Sequence, residues 1–319
     1  MQNIINIDKD NNYTNYLVSK IFKAALFHCD PTNFNFELVN IECLKLRLIL
    51  FEKKDEINKN IEINLFDFIR GLLLNLHDEL NNEIKKNDEP GSNDINIEED
   101  NNNENIDYTN EQSVLSSCAK DYFGIYRSKI SEQFYFVNKT IIECPECQNI
   151  IKYSTTIVFA CSLYPYRASI YLKKNEININ DLFKHFRKKR LFLDENINCQ
   201  YCGKIQKDAN RTNMFYNSPL NLIVQLRYDI KDENKFKVNI DELINMQEFV
   251  ERKDISKWNY RLVGAIFEEK KENENRKYVS INKNENGQWY YFNGDSIQIS
   301  SLNNLINHGR VRLLTYSSI

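Results

Sequence analysis

Two C-x-x-C pairs, Cys144-Pro-Glu-Cys147 and Cys199-Gln-Tyr-Cys202, restrict the fold of this 319-residue chain more than any other feature. Two intervening residues let both sulfurs of a pair face one ion from a tight turn, and two such turns complete a tetrahedral site. Zinc favours four thiolates because it has no ligand-field preference and bonds sulfur well. Gly203, directly after the second pair, suits the positive φ that such a turn commonly needs. The gap between the pairs is 51 residues (148–198), far longer than a compact zinc ribbon allows. One ion would therefore pin the tips of two separate hairpins and close a long loop. Four free buried thiols, or two disulfides in an exported protein, are the alternatives. The N-terminal stretch Met1 to Asp8 has neither a basic start nor a long apolar core, so it does not read as a secretory signal. Doubled, strand-flanked pairs in such a chain favour a structural Zn2+ on Cys144, Cys147, Cys199 and Cys202. The other four cysteines, Cys29, Cys43, Cys118 and Cys161, sit in apolar surroundings and read as small core residues.

Apolar periodicity divides the chain. Tyr16–Phe27, Phe36–Phe51 and Ile63–Leu80 read as helices, the third with Leu65, Phe66, Ile69, Leu72, Leu73 and Leu76 on one face. Residues 81–112 then carry many Asn and few large apolar groups, with 10 acids against 2 bases from Glu83 to Glu111. Burial there cannot repay the entropy of ordering, so a disordered acidic insertion is expected. From Phe134 onward the runs are β-branched and aromatic: 134–137, 140–143, 150–163, 220–229, 260–269, 277–282, 288–293, 296–299 and 311–316. A helix is predicted at Asn180–Arg190, with Asp181 near its start and a basic last turn. Helices first and a long antiparallel sheet afterwards mean α+β, not parallel α/β.

Composition bounds the function classes. The formal charge of −3 and 42% hydrophobic content exclude global disorder and a nucleic-acid binder working through bulk positive charge. No apolar run approaches the ~18–20 residues that span a bilayer, so no membrane role is expected, and a cytoplasmic or nuclear setting is. The chain holds 46 Asn but only 8 Gly and 5 Pro, which weakens every turn assignment resting on Asn.

Eight short segments then fall in a familiar order. They are Tyr122-Phe123-Gly124, the two C-x-x-C pairs, Pro219–Tyr228 (PLNLIVQLRY), Tyr260–Ile266 (YRLVGAI), Lys277–Ile281 (KYVSI), Gly287–Asn293 (GQWYYFN) and Val311–Tyr316 (VRLLTY). This series resembles the ubiquitin-specific protease (USP) family of cysteine deubiquitinases, over about residues 114–319. The resemblance implies one papain-like thumb–palm–fingers domain across 1–319. Its helical thumb would come from 1–80 and 113–123, with the insertion at 81–112, β fingers carrying the zinc knuckles at 124–215, and a β palm at 216–319. The stretch from Gly124 to Cys144 is longer than the family's usual one, which implies extra finger strand.

The resemblance also implies a triad: a Cys at the start of the first thumb helix, a His in a G-H-Y motif, and an Asp or Asn that orients it. The G-H-Y position reads Arg276-Lys277-Tyr278, so Lys277 takes the place of the His. A lysine ammonium has three donors and no lone pair with which to accept a thiol proton. The orienting position is Asn293, a type the family tolerates. The best match to the nucleophile motif, Thr14 to Ser19, puts Asn15 where the Cys belongs, and registering on Ala25–His28 puts Leu17 there. Cys29 follows the helix start by about a dozen positions, roughly 18 Å at 1.5 Å per residue, too far to substitute. None of His28, His77, His185 and His308 lies in a matching motif; His185 reads as a surface or half-buried ring and His308 as a turn residue.

These residues lead to the expectation of a pseudo-deubiquitinase that binds ubiquitin, a ubiquitin-like protein or a larger complex. An active hydrolase with a misplaced nucleophile, and a zinc-stabilised structural subunit without ubiquitin affinity, are the alternatives. The basic run Arg187–Arg190 reads as a solvated helix end rather than a nucleic-acid contact.

Overall fold

The computed structural model describes residues 24, 38, 65–87, 106–124, 127–228, 236–253, 257–270, 276–284, 286–294, 296–301 and 309–319. The expected positions Asn15, Leu17, His28, Cys29, Cys43 and His308 lie outside them, as does most of the first two predicted helices. The chain divides into two compact units: residues 1–92 with 128–130 and 294–296, and the remainder.

In the first unit, helix α1 (Leu65–Asn87) buries Leu72, Leu73, Leu76 and His77, the face expected from its 3.6-residue period. The His77 ring Nδ1 lies 2.6 Å from Ser128 Oγ. α1 runs beyond its expected end at Leu80, into the segment expected to be disordered. Glu, Ile and Lys at 83–86 are tolerable helix formers, and extending a formed helix costs far less than starting one. Residues 88–105 of that segment lie outside the described residues.

The second unit contains α2 (Glu111–Gly124) and two large sheets, and a short helix, α3 (Lys129–Phe134), precedes the first strand. The four-stranded sheet has the order β2-β1-β6-β5, all antiparallel, from β1 (Phe136–Glu143), β2 (Ile150–Val158), β5 (Arg190–Asn198) and β6 (Ile205–Phe215). Two hairpins, β1–β2 and β5–β6, are joined through β1–β6, where Glu143 pairs with Asn210. Each hairpin turn holds one C-x-x-C pair, so the topology carries both turns to the same end of the sheet.

The larger sheet has the order β13-β12-β11-β10-β14-β7-β3, and β9 (Leu243–Asn245) also pairs with β10. Its strands are β3 (Ala160–Leu163), β7 (Asn221–Leu226), β10 (Asn259–Lys270), β11 (Arg276–Lys283), β12 (Trp289–Asn293), β13 (Ser296–Ser300) and β14 (Arg310–Ser318). The apolar run 150–163 is thus two strands in two sheets, broken at Phe159. β3 pairs with β7 in parallel, whereas β7–β14, β14–β10, β10–β9, β10–β11 and β11–β12 are antiparallel. A small parallel pair, β4 (Glu176–Asn178) with β8 (Lys237–Asn239), completes the strands.

Where the sheets meet α5 (Ile179–Arg187), Phe183 packs 5.4 Å from Phe249 and 5.9 Å from Phe215, and Phe136 lies 4.9 Å from Phe215. Fully buried side chains of this size contribute about 1.5–3 kcal/mol each. The core also accepts tyrosines, because their hydroxyls find partners: Tyr316 Oη donates to the Asp241 carbonyl at 2.9 Å, and Tyr260 Oη donates to the Pro219 carbonyl. α5 starts on a capping box between Asn178 and Asp181 and ends at Arg187, before its expected end at Arg190. Arg190 instead opens β5. His185, expected as a surface or half-buried ring, is buried on α5 against Tyr171, with ring centroids 5.8 Å apart. Helix α4 (Pro165–Leu172), with Pro at its first position, was not anticipated.

Candidate functional site

The two C-x-x-C turns are built alike. In the first, the Gln148 amide donates to the Cys144 carbonyl at 3.0 Å and the Cys144 amide donates to Asn149 at 2.9 Å. In the second, Gly203 donates to Cys199 at 2.8 Å and Cys199 donates to Lys204 at 3.0 Å. Both turns close on a left-handed residue, Gly203 at φ 67° and Gln148 at φ 61°. Gly203 takes the conformation expected of it; its counterpart Gln148 carried no such signal, although it occupies the same offset from its first cysteine.

Antiparallel pairing brings the two turns together. Cys144 Sγ lies 3.9 Å from Cys202 Sγ, Cys147 Sγ lies 3.6 Å from Cys199 Sγ, and all four sulfurs fall within 4.8 Å of one another. A cation about 2.3 Å from four tetrahedral sulfurs would set them about 3.8 Å apart, so the geometry fits Zn2+. Charge points the same way. The Asn149 backbone amide leads in lowering the Cys147 thiol to about 7. At Cys202 the Lys204 amide also pulls down, but burial and the three neighbouring sulfurs outweigh it and leave that thiol at about 11. Four thiolates cannot share this volume without a cation, and a dication removes the conflict. Glu146 and Lys204 form an exposed ion pair across the two turns. The residues present thus suit a structural ion, whose only contribution would be to clamp the two hairpin tips.

The remaining expected positions lie on the larger sheet. Lys277 is half-buried on β11, directly opposite Glu269 of β10. Asn293 ends β12, one rung beyond the last registered pair, Ser280 with Phe292. That rung faces Val279, so Asn293 and Lys277 share one face as diagonal neighbours, typically about 7–8 Å apart. Tyr291 is on the same face, and its Oη donates to Glu269 Oε1 at 3.2 Å. Burial, then Glu269, raises the Tyr291 phenol above its ordinary value. This face therefore offers an ammonium, a carboxylate, a phenol and an amide. Glu269 and Tyr291 escaped the sequence reading because no motif marks them; only the strand register shows that Glu269 faces Lys277.

Thiols and imidazoles are placed elsewhere among the described residues. His77 is on α1 and His185 on α5, so neither lies on β10, β11 or β12. Cys118 on α2 and Cys161 on β3 are buried, and burial raises both thiols, which keeps them protonated and unreactive. Both are core residues, as their surroundings in the sequence suggested.

The fold has solved counterparts. The chain is similar to a chain of the SAGA Ubp8/Sgf11/Sus1/Sgf73 DUB module, with TM-score 0.65 and 16% identity over 96% of this chain and 60% of that one. A second form of that module, bound to ubiquitin aldehyde, gives TM-score 0.59 and 19% identity over 97% and 61%. The yeast SAGA DUB module gives TM-score 0.52 and 17% identity over 96% and 67%. At these identities the likeness establishes the fold, and the chain spans about three fifths of the first two neighbours' length. No curated protein matches it in sequence. A family model, ubiquitin carboxyl-terminal hydrolase, matches residues 16–316, and with the thumb–palm–fingers fold behind it the chain belongs to the ubiquitin carboxyl-terminal hydrolase (USP) family.

Proposed function

We propose that this chain is a catalytically inactive member of its family, a pseudo-deubiquitinase that binds ubiquitin or a ubiquitin-like protein within a larger assembly. Zn2+ on Cys144, Cys147, Cys199 and Cys202 would clamp its fingers and take no part in chemistry. The observation that carries the reading is Lys277. By the sequence resemblance it takes the place of the family's catalytic histidine; on its strand it shares a face with Asn293 and faces Glu269 across the strand pair. An ammonium held opposite a carboxylate is a charge pair, not a base, and cross-strand pairs of opposite charge stabilise a sheet by about 0.2–1 kcal/mol. The resemblance puts Asn15 or, in the other register, Leu17 where the nucleophile belongs, and neither is a thiol, which supports the same reading. The ubiquitin aldehyde bound by the similar module supports the choice of partner.

The test is a ubiquitin probe with a C-terminal electrophile, combined with a ubiquitin titration followed by NMR. Saturable shifts without a covalent adduct are the expected result, and Lys277→His alone restores no cleavage because no thiol stands at position 15. An adduct abolished by mutating a single cysteine would show an active hydrolase. No shifts at all would leave a structural subunit without ubiquitin affinity. Elemental analysis of the purified chain should find one zinc per molecule.

A further inference from the structure

The four sulfurs at the finger tips are placed by backbone pairing that owes nothing to a metal. Strand pairs hold the foot of each turn, Glu143 with Ile150 below the first and Asn198 with Ile205 below the second. The β1–β6 ladder, which runs up to Glu143 opposite Asn210, fixes the two hairpins against each other. The Glu146–Lys204 ion pair adds a link from one turn to the other. Each sulfur therefore has a partner held near it across the gap, Cys147 with Cys199 at 3.6 Å and Cys144 with Cys202 at 3.9 Å. A disulfide needs about 2.0 Å, so a shift of about 1 Å or less from each sulfur closes either gap.

Exposure divides each cross-turn pair in the same way. Cys144 and Cys199 are wholly buried, whereas Cys147 and Cys202 are partly open to solvent. Each pair thus joins a sulfur that a small oxidant can reach to one that it cannot. An accessible cysteine poised beside a second thiol is the arrangement that turns oxidation into a disulfide: the first is oxidised, and the second attacks it before oxidation goes further. Exposed and buried sulfurs also alternate within each turn, so geometry decides between the two pairings. Within a turn, the hydrogen bond from Gln148 to Cys144, or from Gly203 to Cys199, sets the backbone between the two cysteines, and a bridge there must deform the turn. A bridge across the turns only draws together the tips of two long hairpins, which strand flexing can absorb.

We infer that the cluster is an oxidative modification site, at which hydrogen peroxide replaces the four-sulfur ion clamp by disulfides across the turns, Cys147 with Cys199 and Cys144 with Cys202. The Cys147 thiolate attacks one peroxide oxygen, the O–O bond breaks and hydroxide leaves, which makes a sulfenic acid. The Cys199 thiolate then attacks the Cys147 sulfur, the S–O bond breaks, and a second hydroxide leaves as the S–S bond forms. Two electrons have passed from the sulfurs to one peroxide, and the charge of the zinc ion is unchanged. A second peroxide closes Cys202 on Cys144 by the same steps. With its thiolates consumed, the ion is released. Unlike chelation, this oxidation leaves the hairpin tips joined. The inference is independent of whether the palm hydrolyses or binds ubiquitin.

The zinc-loaded full chain can be treated with excess hydrogen peroxide, the released metal read with a colorimetric chelator, and the linkages mapped by mass spectrometry of alkylated, unreduced peptides. Loss of the bound zinc together with Cys147–Cys199 and Cys144–Cys202 linkages is expected. Dithiothreitol with added Zn2+ should restore both the thiols and the metal. Cys118 and Cys161, buried on α2 and β3, should stay reduced and serve as internal controls. Hydrogen exchange supplies a second readout that needs no variant: β1 and β6 stay protected in the oxidised chain and accelerate in the reduced chain after chelation. Bridges within the turns, Cys144–Cys147 and Cys199–Cys202, would overturn the inference. So would sulfinic or sulfonic acids without a bridge, or full retention of zinc and thiols under peroxide. None of these outcomes bears on whether a ubiquitin electrophile forms an adduct, so the two proposals fail separately.

Discussion

The two sheets are made of similar strands but are held by different forces. In the palm, β7 and β14 each bury four residues, and Phe267, Leu314 and Tyr316 are wholly enclosed. In the fingers, β2 has no fully buried residue, and two of the four buried on β1 are Lys139 and Thr140. These central strands of the palm are stabilised along their length by apolar contact. Among the described residues β1 and β2 have less of it, and local devices stand beside them: four sulfurs at one end and a buried charge cluster on β1. One fold thus contains a self-sufficient sheet and a stapled one.

Removing the staple should have the largest effect. Structural zinc in small domains contributes on the order of 10 kcal/mol to folding, so Cys199→Ser or strong chelation should melt the finger tips. Hydrogen exchange would then accelerate in β1, β2, β5 and β6 while β7, β10 and β14 keep their protection. Equal loss in both sheets would break the comparison. Phe267→Ala probes the opposite side. It should cost about 3–5 kcal/mol in denaturant titrations while leaving the metal content unchanged.

Lys139→Met comes next. Lys139 is enclosed on β1 with Glu111 Oε1 2.5 Å away and Glu251 also in contact. The loss should be about 1–3 kcal/mol, smaller than for a wholly buried pair because both glutamates remain about a third exposed and can hydrate. Burial lowers the Lys139 ammonium, but the two glutamates more than reverse this and raise it. Its contribution is therefore complete below the ordinary lysine value, and is lost only as pH rises through the higher folded value. A pH titration of wild type against the variant should show their difference shrinking only in strong alkali. The smallest change sharpens the two-turn equivalence: Gln148→Gly should stabilise by about 0.5–1 kcal/mol, and Gly203→Ala should cost about as much, both read from thermal melts.

Much of the molecule was legible in the sequence where one residue type does one job. The cysteine spacing announced two turns meeting at one point, Gly203 announced a positive φ, and the β-branched runs announced the palm. The finger strands β5 and β6 are not legible, because their sequence lacks apolar alternation: Arg190, Asp194, Glu195, Gln206, Lys207 and Asp208 write no strand signal. Run 150–163 looked like one strand because periodicity cannot register the turn at Phe159 that moves the chain between sheets. The depth of His185 is hidden for a related reason. Its flanking lysine suits a surface or half-buried ring, and only packing decides which face of α5 the imidazole occupies.

The order of strands in the palm has a consequence for how the molecule is made. β14, the latest of them to be synthesised, occupies the slot between β10 and β7, roughly fifty and ninety residues upstream. Until residues 310–318 leave the ribosome, two apolar strands face each other across a vacancy with their amides and carbonyls unclaimed. The nascent chain is then open to pairing with a foreign strand, so a chaperone, or a partner subunit bound early, would matter most during that interval.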